Sequence, residues 1–478
     1  MFNLANIKKT WYYLQKNGVS NTYYAVLERF YAKKSNLYPD KGYGYHMLSN
    51  AELDRQRQVV FKKAYKFSIL VPMYETKPEF ARAMIDSVLS QTYPHWELIL
   101  ADASKSTMVE DTVKEYADER IRYHRLAKNA GISENTNAAL ALAEGDYIGL
   151  LDHDDLLTPD ALFEIMSRME QAENEGKRVA FIYSDEDKCD TLAQRFYEPN
   201  IKPAFNWDLL LSNNYICHFL VMKTELMKKL QFRPEYDGAQ DFDLVLRAAL
   251  YKEETEEILH VGKVLYHWRC HDDSTAANPR SKQYAYEAGK RASQDALYEY
   301  LHKIYEKQGT SEAVIKSIIP KPELKKSGNV ILAEGILVSV EHTKHNGFYR
   351  VVYGNETAEA ILKVRKDIGI VVGNMKKHGK ITGGILDENG SCPYKGIHHR
   401  FSGYLHRNSL AQECEYANLS NAVIRTCLLE IRDECNKSND DLTKKEMQTC
   451  HKIREYGYKI LYDPLFDKRY ESKWVSSI

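Results

Sequence analysis

The 478-residue chain has no apolar run approaching the ~18 residues that a membrane-spanning helix needs. Its longest candidates, such as "YICHFLVM", are strand-sized. From Met1 onward there is no apolar core of a secretion signal. Net charge is almost lacking too, at −1, so no global basic field invites nucleic acid. The eight cysteines contain no C-x-x-C pair of the kind that binds zinc or runs redox chemistry. Free thiols in a reducing compartment follow as the simplest reading. Together these absences predict a cytoplasmic protein, with attachment to a membrane surface left open. What is present is ordinary: 44% hydrophobic and 28% charged residues, in a length that allows two or three domains.

Residues 1–60 are aromatic and locally basic. Met1 to Asn36 hold five lysines and one arginine against one glutamate. Such a helix can lie on the anionic inner face of a membrane. It can also pack as an arm on its own catalytic domain, and Tyr12, Tyr13, Tyr23 and Tyr24 favour this second reading because they would fill a protein groove.

From Lys66 the pattern alternates. "KFSILVPMY" reads as a buried strand. Thr76 and Glu79 have capping-box spacing for a helix that buries Phe80, Met84, Val88 and Leu89. "WELILAD" and "IRYHRL" are further strands. Ser133 opens a helix that Gly145 stops, and "DYIGLLD" is a fourth strand. Thr158 and Pro159 begin the next helix as cap and first-turn residue. This order predicts an α/β fold with a mostly parallel sheet and helices on both faces. Such sheets bind ligands beyond the carboxyl ends of their strands.

That rim receives Pro72, Tyr74 and Glu75, then Asp102, then Lys128 and Asn129, then Asp152, Asp154 and Asp155. An Asp-X-Asp at a strand end can hold Mg²⁺ or Mn²⁺, which share oxygen ligands with substrate phosphates. A helix-start charge would explain Asp155 and part of Asp154, but not Asp152 directly after "YIGLL". "GAQDFDLVLRAA" sets Asp241 and Asp243 at a helix mouth, and "VLYHWRCHDDS" presents His267, Arg269, His271 and Ser274 after a strand. Histidine can complete a metal site, and arginine suits phosphate.

The segments "FSILVPMYE", "SVLSQTYPHWELILADAS", "NAGISENTNAALALAEGDYIGLLDHDD", "IYSDEDK", "GAQDFDLVLR" and "YHWRCHDDS" stand in the order found in family 2 glycosyltransferases. Over roughly Lys66 to Ser274 the chain resembles that family, which has the GT-A fold. The resemblance implies sugar transfer from a nucleoside-diphosphate donor, usually uridine, with inversion at the anomeric carbon. It places Pro72, Tyr74, Glu75, Asp102 and Asn129 at the nucleotide. Asp152 and Asp154 match the pair that binds ribose and the metal-diphosphate, with Mn²⁺ or Mg²⁺ as cofactor. Asp241 matches the catalytic base, His267 a further metal ligand, and Arg269 and His271 the diphosphate. Gln240 stands where the family usually has Glu, which bears on acceptor contacts. Asp185, Asp187 and Trp207 are the acceptor-side candidates. The implied acceptor is a glycan or lipid-linked oligosaccharide in bacterial surface or capsular polysaccharide synthesis; self-association stays open.

The second half is less legible. "NGFYRVVYGNE" resembles a linker before a second module in tandem family members. "NLSNAVIRTCLLEI" and the segment ending "YDPLFDKRYES" loosely echo the first half, with Arg469 and Tyr470 where the first copy has its histidines. This predicts an arm over 1–60, a catalytic domain over 61–310 and a degenerate GT-A-like domain over 311–478. A glycoside hydrolase with paired acids would leave Asp102 and "DHDD" without a purpose. A non-catalytic scaffold would not need every acidic position kept.

Overall fold

The computed structural model describes residues 4–34, 42–271, 283–320 and 330–467. Ser274, Arg469 and Tyr470 lie outside them. The chain forms two compact units: Gly42–Phe205 with Asn214–Ala292, and Met1–Lys41 with Asn206–Asn213 and Ser293–Ile478. Among the described residues no helix is long and apolar enough to cross a membrane.

Helix α1 (Leu4–Lys34) belongs to the second of these units. The first opens with α2 (Asn50–Arg57), where Ser49 and Glu52 cap each other's N–H groups. Next come β1 (Phe67–Met73), α3 (Pro78–Leu89), β2 (Trp96–Asp102), α4 (Met108–Val113), β3 (Ile121–Arg125), α5 (Ile132–Leu142) and β4 (Tyr147–Leu150). They are followed by β5 (Leu156–Leu157), α6 (Ala161–Asn174), β6 (Arg178–Cys189) and β7 (Phe196–Asn200). After α7 (Trp207–Ser212), a part of the second unit, come β8 (Leu220–Lys223), α8 (Thr224–Leu230), α9 (Gln240–Tyr251) and β9 (Glu256–Arg269).

The strands form one nine-stranded sheet in the order β3-β2-β1-β4-β8-β6-β9-β5, with β7 beside β6. β3, β2, β1 and β4 pair in parallel. β8 runs against both β4 and β6, so β6, and β9 parallel to it, point the same way as β1. The expected mostly parallel GT-A-like sheet is present, and its parallel strands end on one rim. β1 is buried on both faces, as a central parallel strand must be: Phe67, Ile69, Leu70 and Val71 have no exposed surface. α3 turns Phe80, Met84 and Val88 onto the sheet, each worth about 1.5–3 kcal/mol of burial. Gly149 makes room in β4, where a Cβ would stand 2.7 Å from Ile69 Cδ1.

Helix starts differ from expectation. The N-cap of α3 is Lys77, whose side chain does not cap the helix, and Thr76 Oγ1 is buried and unpartnered, so the capping box does not form. Pro78 explains this: a proline holds the preceding residue extended and shifts the boundary past Thr76. α6 begins at Ala161 rather than at Thr158 and Pro159, and the Thr158 hydroxyl donates to Asp160 instead (2.7 Å). α5 is entered from Gly131 and ends at Leu142, ahead of Gly145.

In the second unit, α1 is kinked at Gly18. Tyr24 stacks on His398 (4.7 Å between ring centres), Tyr31 tilts onto Phe401, and Glu28 accepts the N–H groups of Ser402 and Gly403. The arm thus packs on residues 398–403, far along the chain from the catalytic segment it was expected to cover. α10 (Gln283–Lys307) precedes a three-stranded sheet of Val330–Ala333, Ile336–His342 and Tyr349–Tyr353. In a further sheet, Ile368–Val372 pairs antiparallel with Ala422–Ile424 and parallel with Lys459–Tyr462. Two helices, Leu429–Asn436 and Leu442–Glu455, join those two neighbours. The same steps occur in the first unit: β6 antiparallel to β8 and parallel to β9, with α8 and α9 between them. Arg365, without exposed surface, holds both oxygens of Asp208 (2.6 and 3.1 Å) and also Asp367.

Candidate active site

The parallel register sets Met73, at the end of β1, beside Asp102, at the end of β2. Asp102 is fully buried and accepts the Ser104 N–H (2.9 Å) and the Tyr123 hydroxyl (2.8 Å), with Arg125 3.7 Å away. Near the end of β1 Pro72 is half-buried, and just beyond the strand Tyr74 is exposed. Glu75 adopts left-handed backbone (φ 48°). The Ser106 hydroxyl and the Lys105 N–H, both 2.7 Å away, hold its carboxyl below the usual range. Asn129 is exposed, and its Oδ1 accepts from Gly131 N–H and Asn135. Gly131 (φ 100°) lets the mouth of α5 approach Asp237, whose Oδ2 would lie 2.9 Å from a Cβ there.

The loop after β4 separates its three aspartates. Asp152 reaches solvent, yet surrounding protein, then Asp154 and Asp241, push its carboxyl above the usual range, with His218 pulling the other way. Asp154 Oδ2 lies 2.8 Å from His271 Nε2, and His271 Nδ1 is buried without a partner. Asp155 is fully buried and accepts the Tyr266 hydroxyl (2.6 Å) and the Arg269 N–H (2.7 Å). Burial, then Asp152 and Asp154, raise its carboxyl well above the ordinary range. Asp155 therefore ties the loop to β9, and the helix-start role expected for it does not apply. His218 stacks flat on Tyr266 at 4.5 Å. Ligand atoms of Asp152, Asp155 and His218 lie within 4.8 Å of one another, a group able to hold a cation.

Asp241, in the first turn of α9, accepts on Oδ2 from Asn214 Nδ2 (2.7 Å) and the Cys217 thiol (3.6 Å). Burial, then Asp241, raise that thiol well above its ordinary range. The turn carrying Asn214, Cys217 and His218 is clamped by Lys202. Its ammonium, fully buried, donates to Ile216 C=O (2.7 Å), His218 C=O and Glu186 (3.2 Å). Glu186 accepts the His218 N–H in return. Although burial works against it, Lys202 and His218 keep Glu186 below the usual carboxylate range.

Several expected site residues are committed elsewhere. His267 is buried between Tyr45 and Phe196, its Nδ1 on Asp187 (2.5 Å); Asp187 also accepts the Tyr43 hydroxyl. β6 and β9 pair so that Asp187 and His267 are neighbours, which no local spacing reveals. Asp185 accepts the Lys202 N–H and faces His260 Nε2. The Arg269 guanidinium braces the aspartate loop through Asp154 C=O and reaches Thr191 C=O, while its Nη2 is buried and unpartnered. Trp207 is buried against Tyr300 within the second unit. Gln240, the first residue of α9, accepts the Gly238 N–H. His218, beside Asp152 and Asp155, and Lys202, under the turn that carries it, have no signal in the sequence for these places.

Residues 68–231 match the sequence model of the family described as Glycosyl transferase family 2. An uncharacterized protein of Sinorhizobium fredii, y4gI, is 41% identical over 234 residues, which are 48% of this chain and 25% of that one. The O-antigen biosynthesis protein RfbC of Myxococcus xanthus is 34% identical over 235 residues, 48% of this chain and 18% of that one. The UDP-Glc:alpha-D-GlcNAc-diphosphoundecaprenol beta-1,3-glucosyltransferase WfgD of Escherichia coli is 27% identical over 219 residues, 45% of this chain and 81% of that one. The chain spans a quarter or less of the length of the first two relatives.

Proposed function

With a family 2 glycosyltransferase domain over residues 68–231 as the premise, we propose that the chain moves a sugar from a UDP-sugar to a glycan hydroxyl, inverting the anomeric carbon. One observation carries this reading: Asp241 is fixed by Asn214 and Cys217 close enough to Asp152 for the two carboxylates to repel. This proximity supports a base and a diphosphate side that share one site. A sugar hydroxyl is a poor nucleophile, so Asp241 takes its proton as the new C–O bond forms. The nucleoside diphosphate leaves from the opposite side with the bonding electrons. With Oδ2 occupied by its two donors, Oδ1 is the oxygen that receives the proton. Asp102, Glu75 and Tyr74 hold the base and ribose at the rim between β1 and β2, with Asp152 at the ribose.

Asp154 and His271 are a carboxylate–imidazole pair suited to Mn²⁺ or Mg²⁺, and the orphaned Nδ1 of His271 fits a ring oriented by a ligand. Such a cation would offset negative charge on the leaving diphosphate. His271 replaces His267 in this role, because His267 is held by Asp187. The acceptor we propose is a lipid-linked oligosaccharide in surface polysaccharide assembly, supported by the names of the relatives. The C-terminal unit reads as a truncated, inactive relative of the module, supported by its shared strand order.

The test is a panel of sugar nucleotides with Mn²⁺ and a GlcNAc-diphospholipid acceptor, scored by nucleotide release and product linkage. Turnover with one UDP-sugar, lost in Asp241→Asn with UDP binding retained, supports the reading. Cleavage of a glycan without nucleotide or metal would overturn it.

A further inference from the structure

The aromatic, basic arm has an inner face and an outer one. Tyr24, Glu28 and Tyr31 recur at helical spacing and pack on residues 398–403. Rotated to the solvent side are Val19, Tyr23, Leu27 and Phe30, also at helical spacing, with exposures of 77%, 59%, 37% and 61%. Four large apolar side chains in one continuous stripe are unusual on a surface that meets only water. We propose that this outer face of α1 docks the protein on an anionic lipid bilayer.

Charge selects the bilayer over another occupant. Met1 to Asn36 hold six cations against one acid, and that acid, Glu28, is turned inward onto the Ser402 and Gly403 amides. Lys16 holds Asn346, and Arg400 lies over the Tyr24 ring. The segment therefore carries a net positive charge. Tyrosine and phenylalanine between cations suit the headgroup boundary, where rings enter the acyl edge and the charges meet lipid phosphates. A second copy of this chain would bring cation against cation. The inference stands on the helix surface and is independent of the sugar-transfer reading.

The experiment is flotation of the full chain with phosphatidylcholine vesicles, with and without about one-third phosphatidylglycerol. Binding to the anionic vesicles alone is expected, weakened at least tenfold in 0.5 M NaCl and at least tenfold in Tyr23→Glu/Phe30→Glu. Both positions are exposed, and circular dichroism matching the parent establishes that the variant is folded. No flotation of the parent, or equal flotation of the folded variant, sinks the proposal. So does a dimer in sedimentation velocity that the same variant dissociates in the absence of lipid.

Discussion

Asn214 and Asp241 are joined by a 2.7 Å bond from Nδ2 to Oδ2, linking a turn ahead of β8 to the first turn of α9. The bond fixes which carboxylate oxygen is free. Asn214→Leu should lower kcat about 10- to 100-fold with donor affinity within twofold, whereas Asp241→Asn should remove the full 10²–10⁴-fold contribution of a general base. Steady-state kinetics beside UDP titration reads the split; an unchanged kcat in Asn214→Leu would show that the bond is dispensable.

The two histidines of β9 and its exit should behave differently. His271→Ala should raise the Mn²⁺ concentration needed for half-maximal activity at least tenfold, since an imidazole ligand is lost. His267→Ala should instead lower thermal stability by leaving Asp187 buried with only Tyr43, and leave the Mn²⁺ requirement of the folded enzyme unchanged. Metal titration of both variants decides, and the reverse pattern returns the ligand role to His267.

Lys202 offers a stability test. Lys202→Met leaves Glu186 charged and buried without its cation, a loss of about 3–5 kcal/mol. Adding Glu186→Gln should recover much of it, because no unpaired charge remains. Urea denaturation of parent, single and double variants gives the three values. An additive double variant would mean that the pair does not interact.

Acid stability has its own carrier. Glu97, in β2, is buried, which opposes ionisation. The Ser68 hydroxyl, the Glu144 N–H, Arg122 and Lys66 nonetheless hold its carboxyl down at about 2. A depressed carboxylate stabilises the fold fully above its unfolded value of about 4.3, and that contribution is lost as pH falls toward 2. Thermal melts of the parent should therefore drop between about pH 4.5 and 2, and Glu97→Gln should flatten that part of the curve. An identical slope in both proteins would rule Glu97 out.

The sheet was readable because its central strands are largely apolar: "FSILVPM" and "WELILAD" each hold one polar residue near the start and run apolar from there to Met73 and to Ala101. The direction of the rim then followed from chain order alone. What could not be read was lateral. That Asp187 would neighbour His267, or that Asp155 would accept from Tyr266, depends on which strands lie side by side, and β8 and β5 enter the sheet out of sequence. The aspartates can thus be set on the rim from sequence, while the side chains beside them cannot. His218 could not be placed beside Asp152 from its apolar neighbours in sequence, because its position comes from the turn that Lys202 holds.

Asp208 waits for Arg365. The helix Trp207–Ser212 leaves the ribosome long before the guanidinium it needs, and the sheet Phe67–Arg269 can be complete while this link just ahead of Asn214 still has nothing to lean on. At ~5–20 residues per second, the stretch from Ala292 to Ile478 takes about 10–40 s to synthesise. For that interval the nascent chain holds Asp208 without its guanidinium partner. The eight residues Asn206–Asn213 therefore join their own unit only after the chain on both sides of them has been made.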